Sequence, residues 1–128
     1  MAADLRGGAR KTITAQRWRK AAVPLQALHK NVIECGYGDS ITLIIADSVT
    51  ASGLFSDASV DWIHLDARHD YASVKTDVQA WLPKLKRGGW LSGDDYDEIK
   101  WPEVVNAVRD LLPGATAWST QQWRWIVP

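Results

Sequence analysis

Cysteine is nearly absent from this chain, and the one present, Cys35, cannot close an internal disulfide. The fold must therefore be held by its core, and such sparing use of thiols points to a reducing compartment. Long apolar runs are also missing. None approaches the roughly twenty residues that cross a bilayer, and the N-terminus has no apolar stretch of the secretory kind. A cytoplasmic location is the expectation. Neither sign of charge is in excess, with 15 Lys and Arg against 15 Asp and Glu, so bulk attraction to nucleic acid is disfavoured. Phenylalanine occurs once, yet there are eight tryptophans. Aromatic packing thus rests on tryptophan, read first as core or subunit contact rather than as a ligand platform.

What is there is globular. An apolar share of 46% over 128 residues excludes disorder and fits one domain, although the length is short for a complete doubly wound enzyme. The even charge is unevenly spread. The first twenty residues carry Arg6, Arg10, Lys11, Arg17, Arg19 and Lys20 against Asp4 alone, whereas Asp94, Asp95, Asp97 and Glu98 make a later acidic run. Residues 1–23 read as a basic, solvated arm with a helical turn near Thr14–Ala21, and residues 24–128 as the domain itself.

Along that domain, Pro24 opens a helix whose Leu25, Leu28, Val32 and Ile33 recur at helical spacing up to Gly36. The apolar, β-branched run Ile41–Ala46 predicts a buried strand, followed by a short helix around Val49–Phe55. Val60–Asp66 predicts the next strand and Ala72–Leu85 a helix, stopped by Gly88-Gly89. Gly89–Gly93 predicts a third strand, and Trp101-Pro102-Glu103 opens a helix closed by Pro113-Gly114. Thr116–Ser119 and Gln122–Val127 read as a hairpin. The alternation predicts an α/β fold with a mostly parallel sheet and an antiparallel C-terminal hairpin strand.

Two acidic clusters stand out, Asp66-Ala-Arg-His69-Asp70-Tyr71 and Gly93-Asp94-Asp95-Tyr96. Each follows a predicted strand, and a helical crossover separates them. Such a crossover makes the strands parallel, so both clusters should emerge at one carboxyl edge, where open α/β sheets place their chemistry.

The run Ser59–Tyr71, then Val74-Lys-Thr-Asp77, Trp81–Gly89 and Ser92-Gly-Asp-Asp-Tyr96 resembles the later half of class I S-adenosylmethionine-dependent methyltransferases. It looks similar to the bacterial small-molecule and sugar O-methyltransferases that carry Asp-x-x-His-x-Tyr and Gly-x-Asp-Asp-Tyr stretches. The resemblance runs from about Leu25 to Pro128 and implies a partial Rossmann-like methyltransferase sheet. It implies Mg²⁺ ligands at Asp66, Asp94 and Asp95, a general base at His69, and contacts to the adenine of S-adenosylmethionine at Asp47 and Ser48. Hard carboxylate oxygens suit Mg²⁺, and an imidazole titrating near neutrality suits a base.

The chain also departs from that family. The Gly-rich loop after a first strand and the acidic residue after a second have no counterpart. Gly7-Gly8 follows no predicted strand, and Gly36-Tyr-Gly38 follows a helix. Only the substrate-and-metal half is expected. Metal-assisted O-methyl transfer to a small-molecule or sugar hydroxyl is one functional expectation. The other is a non-catalytic relative serving as an oligomeric binding module. Missing central strands leave sheet edges that invite pairing, so a homodimer, or a partner chain that completes the sheet, is expected.

Overall fold

The computed structural model describes residues 12–16 and 25–128. Its single five-stranded sheet has the order β1-β2-β3-β5-β4. The strands are β1 (Thr12–Gln16), β2 (Val60–Asp66), β3 (Leu85–Gly93), β4 (Thr116–Ala117) and β5 (Trp123–Ile126). The helices are α1 (Leu25–Glu34), α2 (Ser48–Ser52), α3 (Tyr71–Trp81) and α4 (Pro102–Leu111), and one 3₁₀ turn, Leu82–Lys84, joins α3 to β3. β1, β2 and β3 run parallel, while β5 runs against both β3 and β4. The mostly parallel sheet with an antiparallel hairpin strand is thus the observed architecture.

The core lies between one sheet face and two helices. Ile63 and Leu65 of β2 and Leu91 of β3 pack against Val74, Val78 and Trp81 of α3 and Val104, Ala107 and Val108 of α4. Period two along the strands and period near 3.6 along the helices put those residues on facing surfaces. Local signals place the helix ends. Asp70 caps α3 by accepting the Ser73 N–H at 2.9 Å, and Pro102 starts α4 where its missing N–H costs nothing. Tyr71 ties the two helices together. Its N–H donates to Glu103 Oε2 at 2.8 Å and its hydroxyl to Asp110 Oδ2 at 2.9 Å.

Three expectations are corrected. The helical turn predicted within Thr14–Ala21 is instead a strand over its described part, since Thr12–Gln16 pairs with Trp62–Asp66 residue for residue. Alternating Thr-Ile-Thr is sound strand sequence, and an open edge beside β2 supplied the ladder. The predicted strand Ile41–Ala46 is irregular, with Ile45 71% exposed. β-Branched residues make a strand only where a neighbour completes their hydrogen bonds. β1 occupies the place beside β2, and among the described residues no strand pairs with Ile41–Ala46. β3 also begins earlier than predicted, at Leu85, because Gly88-Gly89 continues the strand rather than preceding it.

Gly93 shows how tightly the hairpin seats on the sheet. A Cβ there would lie 2.6 Å from the Trp123 indole, which is itself buried. Gly93→Ala should therefore destabilise the protein by about 1–3 kcal/mol through overpacking, read as a lower midpoint in urea unfolding. A midpoint equal to that of the parent would refute this account of the Gly93–Trp123 contact.

Candidate active site at the carboxyl edge

The parallel register of β2 and β3 sets Leu65 opposite Gly93. The ladder runs one step further, with the Asp94 N–H donating to Leu65 O at 3.2 Å. Asp66 and the pair Asp94-Asp95 therefore leave the sheet side by side. Asp95 adopts a left-handed conformation (φ 59°), which Asp tolerates better than most residues, and its N–H donates to Asp94 Oδ1 at 3.0 Å. The reversal sends the Asp95 carboxylate toward the loop between β2 and α3, where it meets His69. His69 Nε2 and Asp95 Oδ2 are 2.5 Å apart, each side chain about one quarter exposed.

A second contact fixes the imidazole. Its ring stacks on Trp101 with centroids 4.1 Å apart and planes inclined by 28°. Trp101 is presented by a turn that Asp97 organises, its Oδ1 accepting the N–H groups of Ile99 and Lys100 and its carbonyl accepting that of Trp101. Those backbone donors hold the Asp97 carboxyl below the usual range. Glu98 pairs with Arg109. The acidic run after β3 is thus divided between the site and the scaffold.

Asp66, His69 and Asp95 offer ligand atoms that all lie within 4.8 Å of one another. They border a cavity of about 20 Å³, room for about one water, whose walls include Leu65, Asp94, Asp77, Val104 and Trp123. Asp94 shares the cavity, with one oxygen committed to the Asp95 N–H. Two hard carboxylates suit Mg²⁺ in kind, but the third converging group is an imidazole rather than Asp94.

The residues expected to touch a nucleoside cofactor sit differently. Asp47 caps α2, its carboxylate accepting the Thr50 N–H at 3.0 Å while remaining exposed. Bonds from Thr50, the side-chain one foremost, lower its pKa, so it is ionised at neutral pH and can accept further hydrogen bonds. Ser48 is committed inward. Its Oγ accepts Trp81 Nε1–H at 2.8 Å and bonds the Asp77 carboxyl. Asp47 thus stays open to solvent, whereas the Ser48 hydroxyl is engaged by Trp81. His64 lies apart from the edge, its Nδ1 2.9 Å from Ser92 Oγ, which also accepts Trp62 Nε1–H at 2.7 Å. That knot ties β2 to β3.

Sequence reasoning missed Trp101 and Asp77. Asp77 carried a signal, since it stands on the apolar stripe of Val74, Val78 and Trp81, where an acid is out of place without a partner. Trp101 carried none, because its stacking on His69 exists only once α4 is docked.

A parallel sheet with an antiparallel closing hairpin, helices over one face and acids at the carboxyl edge defines an α/β protein of the methyltransferase class. Residues 1–96 match the model of a family described as a methyltransferase domain, and the chain belongs to that family. Solved structures share the fold. The O-methyltransferase NovP has a TM-score of 0.64 at 17% identity, over 83% of this chain and 46% of its own. A putative O-methyltransferase from Klebsiella pneumoniae gives 0.65 at 20%, over 100% and 66%. The O-methyltransferase from Bacillus cereus, solved with S-adenosylhomocysteine, gives 0.60 at 18%, over 95% and 64%. The chain thus spans between about half and two thirds of these neighbours. No helix of the described residues is long and apolar enough to cross a membrane.

Asp77 yields a pH test. Burial raises its pKa above the usual carboxylate value, with Ser48 partly opposing the shift. A folded pKa above the unfolded one means that the stabilisation is complete in acid and is lost as pH rises through the folded value. Asp77→Asn keeps an acceptor for Ser48 and removes the buried charge. Its melting temperature should exceed the parent's at neutral pH, with the gap closing toward about pH 4. A gap that widens in acid would refute the assignment.

Proposed function

We propose that this chain takes part in methyl transfer from S-adenosylmethionine to a hydroxyl of a small molecule or sugar, with His69 as the base. The observation that carries the reading is the His69–Asp95 pair, held beside Asp66 at the carboxyl edge of a methyltransferase-family sheet. When bound, S-adenosylmethionine supplies a methyl group on a positively charged sulfur. Nε2–H donated to Asp95 leaves the Nδ1 lone pair to receive the acceptor's proton, and the Asp95 carboxylate steadies the resulting imidazolium. The oxygen–carbon bond forms as the sulfur–carbon bond breaks, and the proton remains on His69. Trp101 holds the ring in plane for that transfer. Asp66 and Asp95, with the second oxygen of Asp94 in the wall of the same cavity, are the acids that would hold Mg²⁺, whose positive charge would favour the ionised hydroxyl. Asp47 would serve the cofactor side.

A second reading has its own support. Ile41, Ile44 and Ile45 are exposed, and among the described residues β1 has no strand on its outer side. Unpaired edges and bare isoleucines suit a homodimer or a partner chain that completes the sheet. The protein would then be a binding module of the cytoplasm.

Calorimetry with S-adenosylhomocysteine separates the two. Under the first reading the chain binds it, and His69→Gln lowers turnover on an accepted hydroxyl substrate by about 10²–10⁴-fold with that affinity unchanged. No binding at millimolar ligand would defeat a self-contained enzyme. Light scattering that returns the mass of one chain would defeat the homodimer.

A further inference from the structure

We propose that the free edge of β5 is a peptide-binding site, where the end of an extended chain adds antiparallel to Ile126 and its terminal carboxylate is held by Arg124. This does not rest on methyl transfer, since strand addition needs neither cofactor nor acceptor.

β4 covers only half of β5. Its two residues pair with Trp123 and Arg124 and leave Trp125 and Ile126 beyond its start. The cause is local. Gly114 is left-handed (φ 88°) and the Ala115 N–H is taken by Leu112 O at 2.9 Å, so the chain leaving α4 reaches β5 only at Thr116. On its other side β5 is fully engaged, with Trp125 matched to Leu91 and the Val127 N–H donating to Gly89 O at 3.0 Å. Successive residues of a strand bond to opposite neighbours, so the Ile126 N–H and C=O point away from β3 and into the gap. Among the described residues neither group has a backbone partner, and Ile126 is 50% exposed.

The gap is a shaped groove of about 380 Å³, bordered by Thr116, Arg124, Trp125 and Ile126 and by the Pro113-Gly114 turn. The Trp125 indole N–H donates to Pro113 O at 3.0 Å and fixes that wall. Such a volume is within the range of small-ligand clefts. Arg124 supplies the charge. Its guanidinium carbon stands 5.5 Å from the centroid of Trp90, and among the described residues no carboxylate pairs with it. The aromatic contact orients the guanidinium and leaves its N–H donors for an acceptor. A newcomer antiparallel to β5 runs in the direction of β4, so the residue after the one opposite Ile126 approaches Arg124. Thr116 stops it from running further, which selects a chain end over an internal segment. The backbone then bonds to Ile126 while the carboxylate meets Arg124, a strand addition combined with carboxylate capture.

Titration calorimetry of the full chain with the peptide acetyl-Val-Thr-Val-Ile tests this in three forms: the free acid, its C-terminal amide, and the acid methylated at the backbone nitrogen of its penultimate residue. One molecule of the acid should bind per chain, with the amide and the methylated peptide weaker by about tenfold or more. Arg124→Gln should erase the preference for acid over amide. Ile126→Pro removes the edge N–H without removing a bond to β3, and should weaken the acid by a similar factor. Circular dichroism melts confirm that each variant folds; if Ile126→Pro does not, the methylated peptide reads the same edge from the ligand's side. The proposal is overturned if the acid fails to bind at millimolar concentration, if acid and amide bind equally, if the preference survives Arg124→Gln, or if the methylated peptide binds as tightly as the acid.

Discussion

The parallel pairing of β2 with β3 is the constraint on which the edge depends. It matches Ile63 to Leu91 and Leu65 to Gly93, so that two loops far apart in sequence leave the sheet at neighbouring points. Parallel strands need a crossover, and α3 supplies it while bringing Val74, Val78 and Trp81 onto the same sheet face. Burial of that face fixes the register, because a slip of one residue would turn Ile63 and Leu65 toward water and Asp66 toward the core. Hydrophobic packing and the position of the acids are thus one problem with one solution.

Within this frame the charged groups divide according to what the backbone leaves unsatisfied. Asp47 and Asp70 serve helix starts, Asp97 serves a turn, and Asp94 accepts the N–H that the left-handed Asp95 turns inward. Each such group satisfies a donor that regular structure cannot reach. Surface pairs such as Lys84–Asp57 and Lys86–Asp61 add little, about 0–1 kcal/mol each. Asp66, His69 and Asp95 converge at the carboxyl edge, their ligand atoms within 4.8 Å of one another.

Much of this was legible in the sequence. Val60–Asp66 is a short, largely apolar run preceded by the polar turn Ser56–Ser59, so its limits agree with the observed strand. α4 was marked by Pro102 and by valines at helical spacing. The convergence of the two acidic clusters followed from topology alone. Ile41–Ala46 failed because apolar β-branched composition measures fitness for a pleated surface and not the presence of a neighbour. Thr12–Gln16 failed for the converse reason: five modest residues become a strand because an edge was free to receive them. Side-chain partnerships such as His69 on Trp101 or Ser48 on Trp81 span roughly thirty residues. No local pattern encodes them.

Ser48 makes the same point about function. A serine after Asp47 invites assignment to a ligand, yet its hydroxyl lies between an indole donor and a buried acid. Removing it would leave the Trp81 N–H and the Asp77 carboxyl without that partner, a cost that falls on the fold whatever the cofactor does. Asp77 in turn lines the cavity beside Asp66 and His69. The contact from α2 to α3 therefore ends at the wall of the site, and the placement of α2 bears on the polarity of that cavity. A polar group in such a position couples the scaffold to the edge through one hydrogen-bonded chain, from Trp81 through Ser48 to Asp77, without itself meeting the reacting groups.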